Sequence, residues 1–179
     1  MPEARSWVRL LMLTIGMSAF AIAAHAQDGC TDFKWDVSKE RALFAGPPTV
    51  MQAGTEVKSA PIVLPNRLYQ LALAPQGSVN YSVRQGKKTD DNAHGGLAIL
   101  RISAEGNYRV AVDLPVWIDV ITADAVLQPT DFQGQHTCAA PHKIVEFPLR
   151  GTKPFLLQLS GAAIGQVLIT VTPVPERVR

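Results

Sequence analysis

Alternation of apolar and polar residues dominates the chain from residue 67 onward. "SVNYSV" puts Val79, Tyr81 and Val83 on one face and Ser78, Asn80 and Ser82 on the other. "GNYRVAVD" sets Tyr108, Val110 and Val112 against Arg109, Ala111 and Asp113. "IVEFPL" aligns Val145, Phe147 and Leu149, and leaves Glu146 on the opposite side. "KPFLLQLS" aligns Phe155, Leu157 and Leu159. "GQVLITVTP" aligns Val167, Ile169 and Val171 against Leu168, Thr170 and Thr172. A period of two marks a strand with one buried face. "RLYQLALA" (67–74) and "GLAILRIS" (96–103) are apolar on both sides, as central strands are.

Turn residues fall between these runs: Pro75-Gln76-Gly77, the charged stretch 86–96, Ala104-Glu105-Gly106, Pro129-Thr130-Asp131, Gly151-Thr152 and the stretch 161–165. Short strands at this spacing predict an all-β protein, an antiparallel β-sandwich of jelly-roll type. One short helix is expected near 36–45, capped by Asp36, with Glu40 early and Leu43 and Phe44 facing inward. An echo between 69–83 and 155–171 is no more than two similar hairpin patterns, because a repeat requires a fixed period.

The N-terminus follows another logic. Arg5 and Arg9 precede an apolar run over 10–24, and Ala24-His25-Ala26 ends it with small residues. This is the layout of a secretory signal peptide, 1–26, cut before Gln27. The apolar run of about fifteen residues is short for a bilayer core of about 30 Å. The triplet before Cys30 is Gln27-Asp28-Gly29, which does not fit the pattern of a Leu and small residues, so lipid attachment there is not expected. The mature protein is then a single sandwich domain, 27–179, periplasmic or secreted, with no stable membrane insertion.

Composition changes little in this picture. The formal net charge is +2. The leader takes two cations and one anion with it, Arg5, Arg9 and Glu3, which leaves +1. A charge so near zero offers no handle for nucleic acid. The chain has two cysteines, Cys30 and Cys138. In an oxidising compartment an even pair reads as a disulfide. Closing a loop of roughly a hundred residues contributes on the order of 4–5 kcal/mol in the chain-entropy model.

Candidate chemistry is sparse. "GQHTCAAPHKIVEFPLRG" (134–151) gathers His136, Cys138, His142 and Glu146. Two histidines and a carboxylate can hold ferrous iron and leave positions open for oxygen. His142, Glu146 and Gly151 echo the second half of a cupin motif, but the partner histidine is missing: Ala140 stands there. Pro141 before His142 also favours a loop. His94 has no spacing that recruits it. A blue-copper set needs a free Cys, and Met51 is the sole methionine left in the mature chain. The simpler expectation is a loop anchored by Cys138, with His136 and His142 as loop residues. The metal set His136, His142, Glu146 remains the alternative, as a small oxygenase.

Other catalytic patterns are absent from the sequence. There is no Gly-x-Ser-x-Gly elbow and no phosphate or dinucleotide loop. Asp90, Asp91 and Asn92 sit in a hydrophilic loop with Lys87 and Lys88, without a glycosidase or calcium signature. No cofactor is expected. In "WIDV", Trp117 and Asp119 share one face and Ile118 and Val120 the other. Asp119 argues that this face is solvated, so Trp117 could stack on a sugar or an apolar ligand. The competing expectation is that Trp117 or Trp35 fills the core.

Taken together, "FKWDVSKERALF", "LYQLALAPQ", "NYRVAVDLPVWIDVI", "CAAPHKIVEFPL" and "LQLSGA" resemble a group of small exported proteobacterial proteins without an established activity. The resemblance covers most of 30–173 and rests on structural motifs. Some chains of that group carry enzyme names, including a homogentisate dioxygenase label; that family has a histidine-and-carboxylate iron site in a much longer cupin chain, and Ala140 departs from the ligand pattern. "GNYRVAV" and "GQVLITVTP" are similar to strands of pre-peptidase C-terminal sandwich domains, which are accessory binding or maturation modules. That likeness is one of fold and implies no chemistry. The expectation is a non-catalytic protein that binds a small ligand or an envelope protein, with a small metal-dependent oxygenase or a purely structural envelope protein as alternatives.

Overall fold

The computed structural model describes residues 33–83, 90, 92–122, 125–135, 138, 140–151 and 153–175. Its strands are β1 (Thr49–Gln52), β2 (Ile62–Val63), β3 (Leu68–Ala72), β4 (Ala74–Pro75), β5 (His94–Leu100), β6 (Gly106–Val112), β7 (Trp117–Ile121), β8 (Asp131–Gly134), β9 (Lys143–Leu149), β10 (Phe155–Ala162) and β11 (Gln166–Pro173). One α-helix, α1, spans Ser38–Phe44. Among the described residues no helix is long and apolar enough to cross a membrane.

Two sheets form. The larger runs β1-β3-β11-β6-β9-β8 and the smaller β2-β5-β10-β7, with β4 paired to β5. From β5 onward the chain passes back and forth: β5, β7 and β10 lie in the smaller sheet, β6, β9 and β11 in the larger. With β3 this is the strand order of a jelly roll, the all-β sandwich that the alternation predicts. The strand that should follow β7 in the smaller sheet shrinks to one bridge, Ile121 to Val126. Pairing stops soon after Leu127 N–H donates to Val120 O; Pro129, two residues on, has no N–H to extend a ladder. The chain then supplies β8 to the edge of the larger sheet instead. The pairing is antiparallel except at β1–β3 and β2–β5, which are parallel.

The alternating residues meet where expected. Tyr108, Val110 and Val112, Val145, Phe147 and Leu149, and Val167, Ile169 and Val171 face Ile118 and Val120, and Phe155, Leu157 and Leu159, in one core. Each of the three tyrosines in the chain spends its hydroxyl on the backbone. Tyr108 Oη donates to Ala104 O and pins the 104–106 turn, Tyr81 Oη donates to Leu159 O, and Tyr69 Oη accepts from Leu64 N–H.

Two expectations need correction. "SVNYSV" is not a strand. Gln76–Ser78 forms a 3-10 turn, and Ser78 Oγ donates to Pro75 O and Val79 N–H to Gln76 O. Tyr81 then crosses the outer face of the smaller sheet, against Gly95, where a Cβ would stand 1.9 Å from its hydroxyl. The apolar residues pack while their backbone leaves the ladder. In α1 the N-cap is Val37, without a side-chain cap, and Asp36 sits one residue earlier, its Oδ1 accepting from Ser38 N–H; Gly46-Pro47-Pro48 ends the helix. But the buried side chain is Glu40, with Leu43 and Phe44 only half-buried.

That inversion has a distant cause. The outer face of the larger sheet is covered by the segment 33–46. Phe33 and Val37 pack on Ala111, Ile144 and Cys138, with Trp35 and Phe44 at the margin. Glu40, only 2% exposed, accepts a hydrogen bond from Thr172 Oγ1 and lies 3.9 Å from Arg109 Nη1. Arg109 also donates from Nη1 to Asp36 O at 2.9 Å, stands 3.5 Å from Glu146 through Nε, and stacks on Trp35, 4.9 Å from the ring centroid. A buried cation between two carboxylates thus fastens the strap to the sheet.

Candidate ligand-binding face

The outer face of the smaller sheet carries a different set. Registers place Trp117 beside Ser160, Asp119 beside Gln158, and Ile121 beside Leu156. Ile118 and Val120 enter the core, so alternation turns Trp117 and Asp119 outward, as the carboxylate suggests. Trp117 is 48% exposed. It is not loose: its Nε1–H donates to Asp119 Oδ1 at 2.9 Å. Gln158 Nε2 donates to Val83 O at 3.1 Å and reaches Asp119 Oδ2 only at 3.5 Å. Gln158 and Ser160 are fully buried, and Gln158 Oε1 and Ser160 Oγ have no hydrogen-bond partner among the described residues. Buried polar atoms are seldom left unpaired in a stable fold.

Lys143 completes the cluster from the other sheet. It opens β9 in phase with Val145 and Phe147, so its stem enters the mouth of the sandwich. Its ammonium donates to Val116 O at 3.0 Å and lies 5.5 Å from the centroid of the Trp117 ring. Burial pushes the Lys143 pKa down, against the pull of Asp119. Burial pushes the Asp119 pKa up, against the hydrogen bonds from Trp117 and Gln158 and the charge of Lys143. The two charges are too far apart for a direct ion pair, so each keeps hydrogen-bonding capacity.

Beyond Ile121 the face becomes apolar. A groove of about 570 Å³ is lined by Val57, Val83, Ile99, Ile121, Val126 and Leu156, among others. From Trp117 to Ile121 is four residues of strand, or roughly 13 Å. An aromatic, polar end therefore runs into an aliphatic one on a single strip.

The other candidate residues do not converge in this way. Glu146 is engaged on the opposite side of the molecule, where Asn107 Nδ2 reaches its Oε1 at 3.4 Å and Arg109 its Oε2. His142 precedes β9, its N–H donating to Val112 O, and the strand rise puts its Cα roughly 13 Å from that of Glu146. His142 lies near Asp113, whose pKa is raised by burial and eased down by hydrogen bonds to the backbone and by the His142 charge. His136 lies outside the described residues, as does Cys30. Among the described residues no three His, Cys, Asp or Glu side chains gather as metal ligands, and none holds a free cysteine. A second groove, of about 1040 Å³, borders the strap and the Glu40, Arg109 and Glu146 seam.

Sequence reasoning located Trp117 and Asp119 but missed Lys143, Gln158 and Ser160. A lysine in phase with core residues was the available signal for Lys143. Gln158 and Ser160 join Asp119 and Trp117 only through the β7–β10 register, which the sequence does not print. Comparison of the chain with protein-family models and with curated proteins finds no match.

Proposed function

We propose that this protein is an exported, non-catalytic binding module that docks its ligand on the outer face of the smaller sheet, at Trp117 and Asp119. The observation that carries the reading is an indole half open to solvent yet held in one orientation by a carboxylate. A large aromatic exposed in this way gains contact area with little loss of side-chain freedom on binding. The aliphatic groove beside it extends the contact. Export and a Cys30–Cys138 bridge belong to the same proposal. The leader pattern supports the first. The second is supported by Cys138, buried in one cluster with Val37 and with Phe33, the first described residue after Cys30.

The test is a fluorescence titration of mature protein with neutral oligosaccharides, lipopolysaccharide, dodecanoate and anionic phospholipid vesicles, repeated with Trp117→Ala. The expected result is saturable binding of at least one probe that the variant loses while its urea-unfolding midpoint is kept. If no probe binds in a Trp117-dependent way, the face is not a ligand site and a purely structural role replaces this reading.

A further inference from the structure

We infer that the ligand taken at this face is an uncharged saccharide, one ring lying on Trp117 and neighbouring hydroxyls bridging Asp119 and Lys143; this rests on the binding reading above. Hydrogen-bonding capacity leads to it. A carboxylate has about four acceptor sites and an ammonium three donors. Asp119 spends Oδ1 on Trp117 and offers Oδ2 almost unused. Lys143 spends one N–H on Val116 O. The indole ring lies close by, with the ammonium 5.5 Å from its centroid.

Charge narrows the choice. An anionic ligand group at this spot meets Asp119, and a cationic one meets Lys143. A neutral group that both donates and accepts satisfies the two at once, and a pair of hydroxyls on adjacent ring carbons is such a group. Half-burial strips water from both charges, so the exchange of water for hydroxyl costs less here than on an open surface. A pure hydrocarbon is disfavoured for the converse reason: it would cover the two charges and return no hydrogen bond to either. The aliphatic groove then receives the less polar face of a second ring or an acyl substituent.

The experiment is calorimetric titration of mature protein with cellohexaose, maltohexaose, chitohexaose and, separately, dodecanoate. The variants are Trp117→Ala, Asp119→Asn, Lys143→Met and Lys143→Arg, each checked by its thermal midpoint. A hexasaccharide is expected to bind, with affinity reduced roughly tenfold or more by Asp119→Asn and by Lys143→Met, the span of one charge-assisted hydrogen bond. Lys143→Arg, which keeps a charged donor, should recover part of the loss. Saccharide binding that ignores Asp119 and Lys143 overturns the inference. So does Trp117-dependent binding of dodecanoate with no saccharide bound, although the binding face itself then survives. Loss of Trp117 dependence for every probe removes both readings.

Discussion

Replacing Arg109 by methionine keeps most of the side-chain stem and deletes one buried charge. Its guanidinium is held by Asp36 O at 2.9 Å, by Glu146 at 3.5 Å and by Glu40 at 3.9 Å. Glu40 is only 2% exposed and has no other cation nearby among the described residues. Removing one partner of a buried ion pair strands the other and costs about 3–5 kcal/mol. For a domain of this size each kcal/mol moves the thermal midpoint by about 2–4 °C, so the expected drop is roughly 6–20 °C. Urea unfolding of the protein at pH 7, followed by tryptophan fluorescence, measures the free energy directly. Amide exchange should show protection lost first over the strap, 33–46, because the seam fastens it. Adding Glu40→Gln and Glu146→Gln to Arg109→Met should restore most of the stability, since no carboxylate is then stranded. If Arg109→Met alone costs less than about 1 kcal/mol, or the triple variant is worse than the single, charge is not what fastens the strap and the reasoning fails.

Three further outcomes are expected. Leu157→Ala empties a fully buried site between the sheets and should cost about 2–5 kcal/mol in denaturant unfolding; a change below 1 kcal/mol would mean that the two sheets do not close there. Gly95→Ala places a methyl 1.9 Å from Tyr81 Oη and 2.5 Å from Leu159 O, and overpacking of that kind costs about 1–3 kcal/mol. Adding Tyr81→Phe should return only part of the thermal midpoint, because it removes the nearer obstacle and leaves the Leu159 backbone oxygen 2.5 Å from the new methyl. Asp119 should also leave a signature in pH. Burial raises its folded pKa above the unfolded value, so between the two the folded state binds more protons and stability falls as pH rises. Urea midpoints measured from below pH 4 to neutrality should show the native protein losing ground to Asp119→Asn as pH increases; the opposite trend would contradict the burial.

The parts of the fold that could be read in advance are those where one local pattern decides the outcome. β6, β9, β10 and β11 alternate cleanly because each turns one side to a common core. β1 and β2 carry no such pattern: four and two residues long, they lie at sheet edges in parallel pairings with segments distant in sequence. Asp131 reads as a turn residue, yet it begins β8, because the free edge of β9 accepts any short extended segment. Asp36 signals where the helix begins, though Val37 is its N-cap, and the buried residue of the helix is chosen by Arg109 and Thr172, about seventy and a hundred and thirty positions away. At the candidate face the same division holds. Alternation and one aspartate identify the outward side of Trp117. Lys143 arrives from the facing sheet, and the aliphatic groove is assembled from five separate segments of the chain.

The order of strands has a bearing on how the protein comes into being. β11 lies between β3 and β6, and β10 lies between β5 and β7, so the last two strands are the middle members of their respective sheets. A polypeptide halted before Phe155 holds every neighbour that these two should join, and nothing to join them with. Non-local pairing of this kind delays folding, because distant ends must meet before any contact rewards them. If the chain leaves the cytosol unfolded, as the export proposal has it, that delay is an asset: the thread stays pliable until its closing segment has crossed.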